Sequence, residues 1–522
     1  MESVRRVGGP WRASPSLATE LTYLPARLRS FATMTADAAA APVAPKSAPP
    51  KLNPVRVPIV EEPVDARTTD FREVLHAYSK EDAVLEAKRC IQCRRPWCVE
   101  ACPITQDCRE YIRLVADRDF DGAARVTLRE NPLATCLCKV CYHYCEDACV
   151  VKKKGVPIAI RHLKRASLDY GTSDLAYVPS KPKNQRVAVV GAGPAGLMMA
   201  WELAVRGYSV TVFEQERRYG GLMQTIPAYR MTDVDVETDR KRFRDLDVKF
   251  VDGSKVGRDF PFDKLVREDG YQAVFISIGT PSHRALGVPG EQLPGVLPAL
   301  DFLKDVNQGK PVKVGKEVVV IGGGDVAMDS VRTALRESHG GRVTLVYRRS
   351  RQEMPADPEE VHGAEHEGIR FLFLKAPLRI AGAQNVEGLI VQGMELGPPD
   401  AGGRRTPIPV PGSEETIPCD TVIIAVGQKA DLTGFGPELE LKLTSQGWPE
   451  GKGKGFETAV PGIFAAGGRS VVYAMGAAME AADAIDAYLS AKRGGAPAPR
   501  PDPFGGNESF HKPAGYTAPI RV

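Results

Sequence analysis

The chain has 522 residues and carries 69 Lys and Arg against 65 Asp and Glu, a formal net charge of only +4. So small a charge over this length does not indicate a nucleic-acid-binding surface, although it leaves room for a local basic patch that docks an acidic redox partner. No apolar run approaches the roughly eighteen residues that span a bilayer. We therefore expect no membrane segment and, from the length, about two to four domains.

Both ends of the chain are irregular in composition. Residues 1–33 carry five arginines against Glu2 and Glu20, which is compatible with an organelle transit peptide, and Met34 is a plausible alternative start. We favour a disordered leader, which predicts a cytoplasmic protein, or an organellar one if residues 1–33 are a transit peptide. An Ala- and Pro-rich linker completes residues 1–60, and residues 493–522 predict an irregular tail.

Ten of the eleven cysteines lie in one stretch, between Cys90 and Cys149. Thiolates this dense in a chain of intracellular character are ligands before they are disulfides. The first run, Cys90-x2-Cys93-x4-Cys98-x3-Cys102-Pro103, resembles the spacing that holds cubane iron–sulfur clusters, including its final proline. The remaining six are Cys108, Cys136, Cys138, Cys141, Cys145 and Cys149. The pattern predicts two 4Fe-4S clusters.

Two other uses of these cysteines are less well supported. A secreted disulfide scaffold would be short and would spread its cysteines over the whole fold. Structural zinc is the stronger rival, because zinc ribbons also use close Cys pairs with four ligands per ion. The Cys102-Pro103 ending and the flavin signature downstream favour a redox-active cluster over zinc.

Helical patterns surround the cysteines. Ser79, followed by residues 80–88, predicts a capped helix that leads to Cys90. Two further helical patterns, over residues 108–116 and 120–129, separate the first cysteine group from the second. The two groups must therefore meet in space, and we predict a helical iron–sulfur domain over residues 65–180.

A dinucleotide-binding signature follows this domain. A buried-strand run ends at Val190 and leads directly into a helix through Gly191-Ala192-Gly193-Pro194-Ala195-Gly196. The glycines allow a tight turn and a close approach to pyrophosphate, and the helix N-terminus supplies N–H donors. A second strand ends at Glu214, about twenty residues on, where a carboxylate binds ribose hydroxyls. We predict a Rossmann-like domain over residues 184–310 and 430–492.

A second copy of the signature is inserted in the first domain, over residues 311–429. Its helix begins within Gly322-Gly323-Gly324-Asp325-Val326-Ala327, so the chain is expected to bind two dinucleotides. Its second strand ends in Arg348-Arg349, where an NAD site would show Asp or Glu. Guanidinium groups at this point suit the 2′-phosphate of NADP, the alternative being solvated strand-end arginines. The predicted fold class is α/β, with one Rossmann-like domain inserted in another after the helical domain.

Several separate runs resemble one family. Residues 70–74, 87–93 and 131–133, with Val140-Cys141 and Cys145-Glu146-x2-Cys149, resemble the small (beta) subunit of NADPH-dependent glutamate synthase and related flavin and iron–sulfur oxidoreductases. The family includes the N-terminal half of dihydropyrimidine dehydrogenase. The resemblance extends over about residues 55–490 and implies that the first dinucleotide is FAD. The residues that match the flavoprotein form are Pro194, Ala195, Gly196, Gly221, Leu222 and, at the crossover, Gly279.

The resemblance also covers the return to the flavin domain at Gly467-Gly468. An Ala-rich helix follows, whose N-terminus should point at the flavin. Relatives have Gly-Asp here, and that Asp contacts the flavin's ribityl or phosphate region. Gly468 is therefore expected to remove one FAD contact and to leave the others in place.

The resemblance implies a ligand set for each cluster: Cys90, Cys93, Cys98 and Cys149 for one, and Cys102, Cys141 and Cys145 for the other. Relatives complete the second with a Glu or Gln where this chain has Lys164, and a protonated lysine has no lone pair for iron. We hypothesise that Cys136 or Cys138 is the missing ligand. The alternative is that both are spare buried thiols.

Three functions are compatible with these parts. The resemblance implies that NADPH reduces FAD, and that electrons then pass through two 4Fe-4S clusters to a large partner subunit resembling the glutamate synthase alpha subunit, with no catalytic acid or base in this chain. A second hypothesis is a related reductase with another acceptor: ferredoxin, a pyrimidine-reducing subunit, a polysulfide or a bifurcating complex. A third is a non-catalytic electron-relay subunit in which Gly468 and Lys164 mark lost sites.

Overall fold

The computed structural model describes residues 53–504, apart from residues 173–174, 176, 179, 268, 401, 436–441, 444–448 and 451–455. All of the described residues belong to one structural unit. The predicted leader, most of the linker and the tail beyond residue 504 lie outside them. Among the described helices, none combines the length and the apolar character that crossing a bilayer requires.

Helices form the N-terminal part and flank the sheets that follow. In chain order they are α1 (Val64–Arg67), α2 (Lys80–Ala87), α3 (Trp97–Ala101), α4 (Cys108–Ala116), α5 (Phe120–Glu130), α6 (Ala134–Val140), α7 (Tyr144–Asp147), α8 (Ile160–Tyr170), α9 (Pro194–Val205), α10 (Asp233–Lys241), α11 (Phe262–Arg267), α12 (Ala299–Asn307), α13 (Asp325–Glu337), α14 (Pro358–His366) and α15 (Val471–Lys492). Short 3-10 turns cover Val150–Lys153, Gly221–Thr225 and Arg351–Glu353.

The strands all follow the helical part. They are β1 (Arg186–Val190), β2 (Ser209–Phe213), β3 (Val248–Val251), β4 (Ala273–Ile276), β5 (Ser282–His283), β6 (Val296–Pro298), β7 (Glu317–Ile321), β8 (Arg342–Tyr347), β9 (Arg370–Phe373), β10 (Lys375–Ala381), β11 (Gly388–Pro399), β12 (Arg405–Pro418), β13 (Thr421–Ile424), β14 (Gln428–Lys429), β15 (Lys442–Leu443), β16 (Pro449–Glu450) and β17 (Ile463–Ala465).

The N-terminal part is helical, as predicted. Helices α4, α5 and α8 pack against one another, and α2 packs on α4 and α8. The Ser79 hydroxyl caps α2 by accepting a hydrogen bond from the Asp82 amide at 3.1 Å, which confirms the predicted start of this helix. The cysteines lie in or beside the short helices, where the backbone turns sharply enough to bring sequence-distant thiols together.

The first glycine motif belongs to a five-stranded parallel sheet with the order β17-β4-β1-β2-β3. Val190 lies beside Phe213 on one side and Ile276 on the other. The carboxyl ends of these strands therefore share one edge, which is where open α/β sheets bind ligands. Helices α9 and α15 pack together against this sheet.

The second glycine motif belongs to another five-stranded parallel sheet, with the order β6-β13-β7-β8-β9. Because β6 pairs with β13, this sheet already begins at Val296, before the boundary predicted at residue 311. An antiparallel sheet, β10-β11-β12, follows β9.

The two sheets are connected by paired strands. Strand β5, on the outgoing chain, pairs antiparallel with β14, on the returning chain. The Thr280 hydroxyl and the Gln428 side chain hydrogen bond beside this pair, at 2.9 Å. The α/β class with one domain inserted in another is therefore confirmed.

The tail from residue 496 to 504 packs on the body of the protein. Arg500 donates to the buried carboxylate of Glu202 at 2.8 Å and to the Arg129 carbonyl at 2.9 Å. The Phe504 ring stacks on Tyr177, with centroids 5.2 Å apart. This part of the predicted irregular tail thus contacts both α9 of the first nucleotide-binding domain and α5 of the helical part.

Candidate cofactor sites

A cavity of about 880 Å³ lies between the carboxyl edges of the two parallel sheets. It is lined by residues of both glycine motifs and by the turn that carries the last cysteines of the helical part. The predicted site residues on its wall are Gly191, Gly193, Pro194, Ala195, Glu214, Gly221, Leu222, Gly279, Gly324, Asp325, Gly467 and Gly468. Gly196, Gly322, Gly323, Ala327, Arg348 and Arg349 do not reach this wall.

The first glycine motif forms the predicted turn from β1 to α9. Gly193 caps α9, and Pro194 takes its first position, where a missing N–H costs nothing. A Cβ on Gly196 would overlap the carbonyl oxygen of Gly191. Glycine is required at residue 196 because the helix packs directly on the turn. The free N–H groups at the start of α9 suit a pyrophosphate.

Glu214 stands at the end of β2, as predicted. One carboxylate oxygen accepts a hydrogen bond from the Ala192 amide at 2.7 Å, and the other accepts from the Glu216 amide at 2.9 Å. Burial raises the pKa of Glu214, and these amide donors oppose the shift. The carboxylate therefore stabilises the glycine turn through these hydrogen bonds. It also lines the cavity, where it could bind ribose hydroxyls.

The return to the first domain places Gly467 and Gly468 on the cavity wall. Helix α15 begins at Val471 and is capped by Ser470. A Cβ on Gly468 would clash with the backbone nitrogen of Ala474. An Asp side chain at residue 468 would therefore require the start of α15 to move.

The second glycine motif turns from β7 into α13. A Cβ on Gly323 would clash with the ring of Tyr347, at the end of β8. Asp325, at the first position of α13, accepts a hydrogen bond from the Asp357 amide at 2.8 Å. Burial raises the pKa of Asp325 to about 7. The carboxyl group at this helix N-terminus is therefore partly protonated at neutral pH.

The two arginines predicted at the end of β8 lie in different surroundings. Arg349 is buried and forms an ion pair with Asp400 at 2.8 Å, and it also donates to the Arg405 carbonyl at 2.8 Å. Arg351 pairs with Glu365. Arg348, in contrast, is exposed at the end of β8.

The four cysteines of the first group lie close together. Cys90, Cys93, Cys98 and Cys149 line one small apolar hollow that is partly open to the surface. Burial raises the pKa of Cys90 to about 12, and the neighbouring thiols of Cys98, Cys149 and Cys93 add to the increase. All eleven cysteines are free thiols. Four converging thiols whose charges repel one another fit a cationic iron–sulfur centre.

The second cysteine group is deeper. Burial raises the pKa of Cys102 to about 11, and the Cys141 thiol adds to the increase. The Cys108 thiol lowers the pKa of Cys145, but burial and the thiols of Cys102 and Cys141 outweigh it and raise that pKa to about 11. Val140 and Tyr142, on either side of Cys141, line the large cavity. The backbone on either side of Cys141 therefore reaches the large cavity.

Lys164 lies beside the second group, fully buried on α8. Burial lowers the pKa of Lys164, but the thiols of Cys138, Cys141, Cys102 and Cys145 outweigh that effect and raise it. A protonated ammonium group thus stands close to four sulfurs. Its charge would be compensated by thiolates, which suits a metal-ligating set that is rich in negative charge.

The two thiols proposed as the missing ligand lie in different surroundings. Cys138 and Lys164 interact electrostatically across the helix pair α6 and α8. The Cys136 thiol instead hydrogen bonds the Asp239 carboxylate of α10, and the Cys136 amide donates to the same carboxylate at 2.9 Å. Cys138 thus shares Lys164 with Cys102, Cys141 and Cys145, while Cys136 packs in the same core as Cys102 and Cys141.

Cys108 belongs to neither predicted ligand set. It opens α4 with 2% of its surface exposed, and the neighbouring Cys145 thiol and burial hold its pKa well above the ordinary value. Sequence reasoning missed this position because Cys108 matches no ligand position of the family. Its membership of the ten-cysteine stretch was the only available signal.

Two family models match the chain. Residues 67–175 match "dihydropyrimidine dehydrogenase domain II, 4Fe-4S cluster", and residues 185–486 match "pyridine nucleotide-disulphide oxidoreductase". A glutamate synthase [NADPH] small chain from Halomonas elongata is 35% identical over 427 residues, which cover 78% of this chain and 90% of the relative. The chain belongs to the glutamate synthase small-chain family.

Other relatives of this chain, and solved structures with a similar fold, differ from it in length. The NADP(+)-dependent formate dehydrogenase subunit beta of Moorella thermoacetica is 38% identical over 427 residues, or 75% of this chain, but this chain spans only 60% of that relative. The solved structure of Mycobacterium tuberculosis FprA in complex with NADPH shares 22% identity at a TM-score of 0.50, covering 60% of this chain and 86% of FprA. That likeness shows the fold alone.

Family membership assigns a broad character to the two halves. The cysteine-rich part, residues 67–175, is a 4Fe-4S domain, which decides between an iron–sulfur centre and structural zinc. The other half is a pyridine nucleotide oxidoreductase domain with two glycine motifs. The resemblance found in the sequence is thereby confirmed for this member of the glutamate synthase small-chain family.

Proposed function

We propose that the chain is the electron-input subunit of an NADPH-dependent oxidoreductase of the glutamate synthase type. The observation that carries the proposal is the single cavity that contacts both glycine motifs and the turn around Cys141. Two nucleotides and the iron–sulfur part can therefore meet at one place. When bound, FAD accepts a hydride from NADPH and the clusters take the electrons one at a time.

The residues of the chain bind and orient these groups. The amides at the start of α9 suit the FAD pyrophosphate, Glu214 suits its ribose, and the N-terminus of α15 supplies a positive dipole end on the same wall. The start of α13 suits the NADPH pyrophosphate, with Arg348 at the end of β8 for its 2′-phosphate. Hydride transfer needs no acid or base from the protein, so no catalytic residue of that kind is proposed.

Two 4Fe-4S clusters complete the proposed path. Cys90, Cys93, Cys98 and Cys149 would hold the outer one. Cys102, Cys141, Cys145 and Cys138 would hold the inner one. The convergence of the first four thiols on one hollow and the burial of the others near the cavity support this assignment.

Purified chain provides the first test. After anaerobic reconstitution with iron and sulfide, we expect flavin absorbance, about eight irons per chain and reduction of an artificial dye that depends on NADPH. A chain that binds no flavin and reduces no dye would support the non-catalytic relay subunit instead.

A partner subunit is expected to receive the electrons. For the glutamate synthase type, NADPH oxidation by the complex with a large subunit should require both glutamine and 2-oxoglutarate. NADPH oxidation that ignores both compounds but proceeds with another redox protein would identify a related reductase.

The surface around the outer cysteine group favours a protein acceptor. Ile91 and Trp97 are each 44% exposed there, and the Arg95 guanidinium lies 4.0 Å from the centre of the Trp97 ring. Arg94 is exposed beside them. An apolar centre with a basic rim suits an acidic redox partner. Reduction of such a partner should slow as salt rises, and the double substitution R94E/R95E should slow it further while dye reduction is unchanged.

A further inference from the structure

Arg469 lies on the wall of the large cavity, in the segment that leads into α15. Its side chain is exposed, and the next residue, Ser470, caps the helix. The guanidinium and the positive end of the α15 dipole therefore belong to the same short segment of the wall. Together they make this part of the cavity electropositive.

The other arginine and lysine side chains on the cavity wall have carboxylate partners. The pairs are Arg230 with Asp329 at 2.7 Å, Lys255 with Asp431 at 2.6 Å, and Lys304 with Glu216 at 2.8 Å. Arg469 differs from them, because no carboxylate of the described residues forms an ion pair with it. Its charge is thus available to an anionic group in the cavity.

An aromatic ring holds the guanidinium in place. The Cζ atom of Arg469 lies 4.9 Å from the centre of the Tyr473 ring, which is a cation–π contact. Tyr473 packs edge-on against Tyr144, with ring centroids 5.0 Å apart, and Tyr144 stacks on Tyr142 at 5.9 Å. Tyr142 itself lines the cavity. Arg469 is therefore anchored where the start of α15 meets the turn around Cys141.

The order of the binding groups along the cavity indicates which anion Arg469 meets. Glu214 suits the adenosine ribose of FAD, and the start of α9 suits its pyrophosphate. The flavin ring is at the opposite end of FAD from the adenosine, so it lies away from Glu214. To accept a hydride and pass electrons on, it must face both the start of α13 and the turn around Cys141. Arg469 is placed beside that turn.

We propose that Arg469 stabilises the negative charge that the flavin gains when it is reduced. This inference rests on the proposed function. The hydride brings two electrons and one proton from the nicotinamide to flavin N5, which leaves NADP⁺ and a flavin with one added negative charge. A fixed guanidinium favours that product over the neutral oxidised ring. Arg469 therefore raises the reduction potential of the flavin and makes it a better hydride acceptor.

The test compares wild type with four variants of the full chain. R469A and R469Q remove the charge, and R469K keeps it. R186A is the matched control, because Arg186 is also an exposed arginine over a tyrosine ring, 4.5 Å from the centre of Tyr271. Arg186 lies at the start of β1, and the cavity lies at the other end of that strand.

Two quantities are measured after the thermal unfolding midpoint has shown that each variant is folded. The first is the dissociation constant for oxidised FAD, from titration of the flavin-depleted chain. The second is the two-electron reduction potential of the bound flavin, from anaerobic redox titration followed by absorbance, with the spectrum of the clusters subtracted.

We expect the reduction equilibrium of the flavin to fall by roughly tenfold in R469A and R469Q, about 30 mV for two electrons. Their affinity for oxidised FAD should change little, because the oxidised ring is neutral. R469K should keep most of the wild-type potential, and R186A should keep all of it.

Two results would overturn the inference. An unchanged potential in both R469A and R469Q would make Arg469 a solvated side chain. A large loss of affinity for oxidised FAD, with an unchanged potential in the flavin that still binds, would place the guanidinium at a phosphate of FAD instead of the ring. Failure of the proposed function is distinguishable from both, because the wild-type chain itself would then bind no FAD.

Discussion

Arg349 forms an ion pair with Asp400, with 2.8 Å between the guanidinium nitrogen and the carboxylate oxygen. The pair holds the end of β8 against the loop that precedes β12. Two arginines were expected to recognise NADP, and this ion pair engages one of them, Arg349. The other, Arg348, is exposed at the strand end. Coenzyme choice should therefore depend on Arg348.

The substitution R348A should lower kcat/KM for NADPH relative to NADH by roughly ten- to a hundredfold, since a charge-assisted hydrogen bond contributes about 1.5–3 kcal/mol. Steady-state rates of dye reduction with each coenzyme measure the ratio. R342A, at the opposite end of β8, removes an exposed arginine paired with Glu317 and should leave the ratio unchanged. An unchanged ratio in R348A would indicate that these arginines are solvated strand-end side chains that do not bind the 2′-phosphate.

Asp325 should make NADPH binding depend on pH. Its pKa, raised by burial from 3.8 to about 7, means that the carboxyl is mostly neutral at pH 6 and mostly ionised at pH 8. A negative charge at the start of α13 repels the pyrophosphate, so KM for NADPH should rise with pH by roughly threefold to tenfold.

D325N keeps an oxygen that can accept from the Asp357 amide but cannot ionise. Its KM should be nearly flat between pH 6 and 8 and close to the wild-type value at pH 6. E337Q, at the other end of α13, should follow the wild-type curve. If D325N keeps the full pH dependence, the titrating group lies elsewhere.

The eighth cluster ligand can be tested with two neighbouring cysteines of α6. C138A should lose the signal of the inner cluster and about half of the iron, because Cys138 lies with Lys164 and the second group. C136A is the matched control, since its thiol hydrogen bonds Asp239, and it should keep the iron. Equal iron content in both variants would make both cysteines spare thiols.

Gly468 should not tolerate even a methyl group. In G468A the added Cβ would meet the backbone nitrogen of Ala474, so the start of α15 must shift at a cost of about 1–3 kcal/mol. We expect a lower flavin content and a lower unfolding midpoint in both G468A and G468D, instead of a regained FAD contact. Higher flavin content in G468D would show that the helix start moves easily.

Arg500 should stabilise the fold through Glu202. Burial raises the pKa of Glu202, but Arg500 and Arg206 outweigh it and hold that pKa at about 2. Because the pKa of Glu202 is lower in the folded state than in the unfolded state, its ionised form stabilises the fold. This contribution to the free energy of unfolding is fully present above about pH 4.5 and is lost as the pH falls toward 2.

R500A should therefore lower the thermal unfolding midpoint at pH 7, by an amount that corresponds to about 1–3 kcal/mol. The difference from wild type should shrink as the pH falls below about 4.5. R258A, which breaks an exposed pair with Asp259, should have little effect at either pH. A difference that does not change with pH would assign the effect of Arg500 to packing instead of charge.

Local patterns were enough to predict much of this protein. The cap at Ser79, the turn through Gly191 and Gly196, and the position of Glu214 each depend on residues within about one strand and one helix of one another. The inserted domain was also predictable, because the second glycine motif lies between the two parts of the first domain. The start of its sheet at Val296 was not, since a three-residue strand leaves almost no periodic signal.

The roles of several single residues depended on contacts with distant parts of the chain. Asp400 lies 51 positions from Arg349, and Glu202 lies 298 positions from Arg500. Neither pairing leaves a pattern in the local sequence. Gly468 is similar, because its fit depends on where α15 begins.

The amino-acid sequence by itself determined the iron–sulfur and dinucleotide-binding character of the chain and the order of these two parts, since these follow from residue chemistry and short-range spacing. Only the tertiary structure separated Arg348 from Arg349, and only it placed Asp239 against Cys136 and Lys164 near Cys138. Each choice depends on which side chains meet when helices and strands far apart in the chain pack together, and packing distances of a few ångströms are not encoded in any short run of residues.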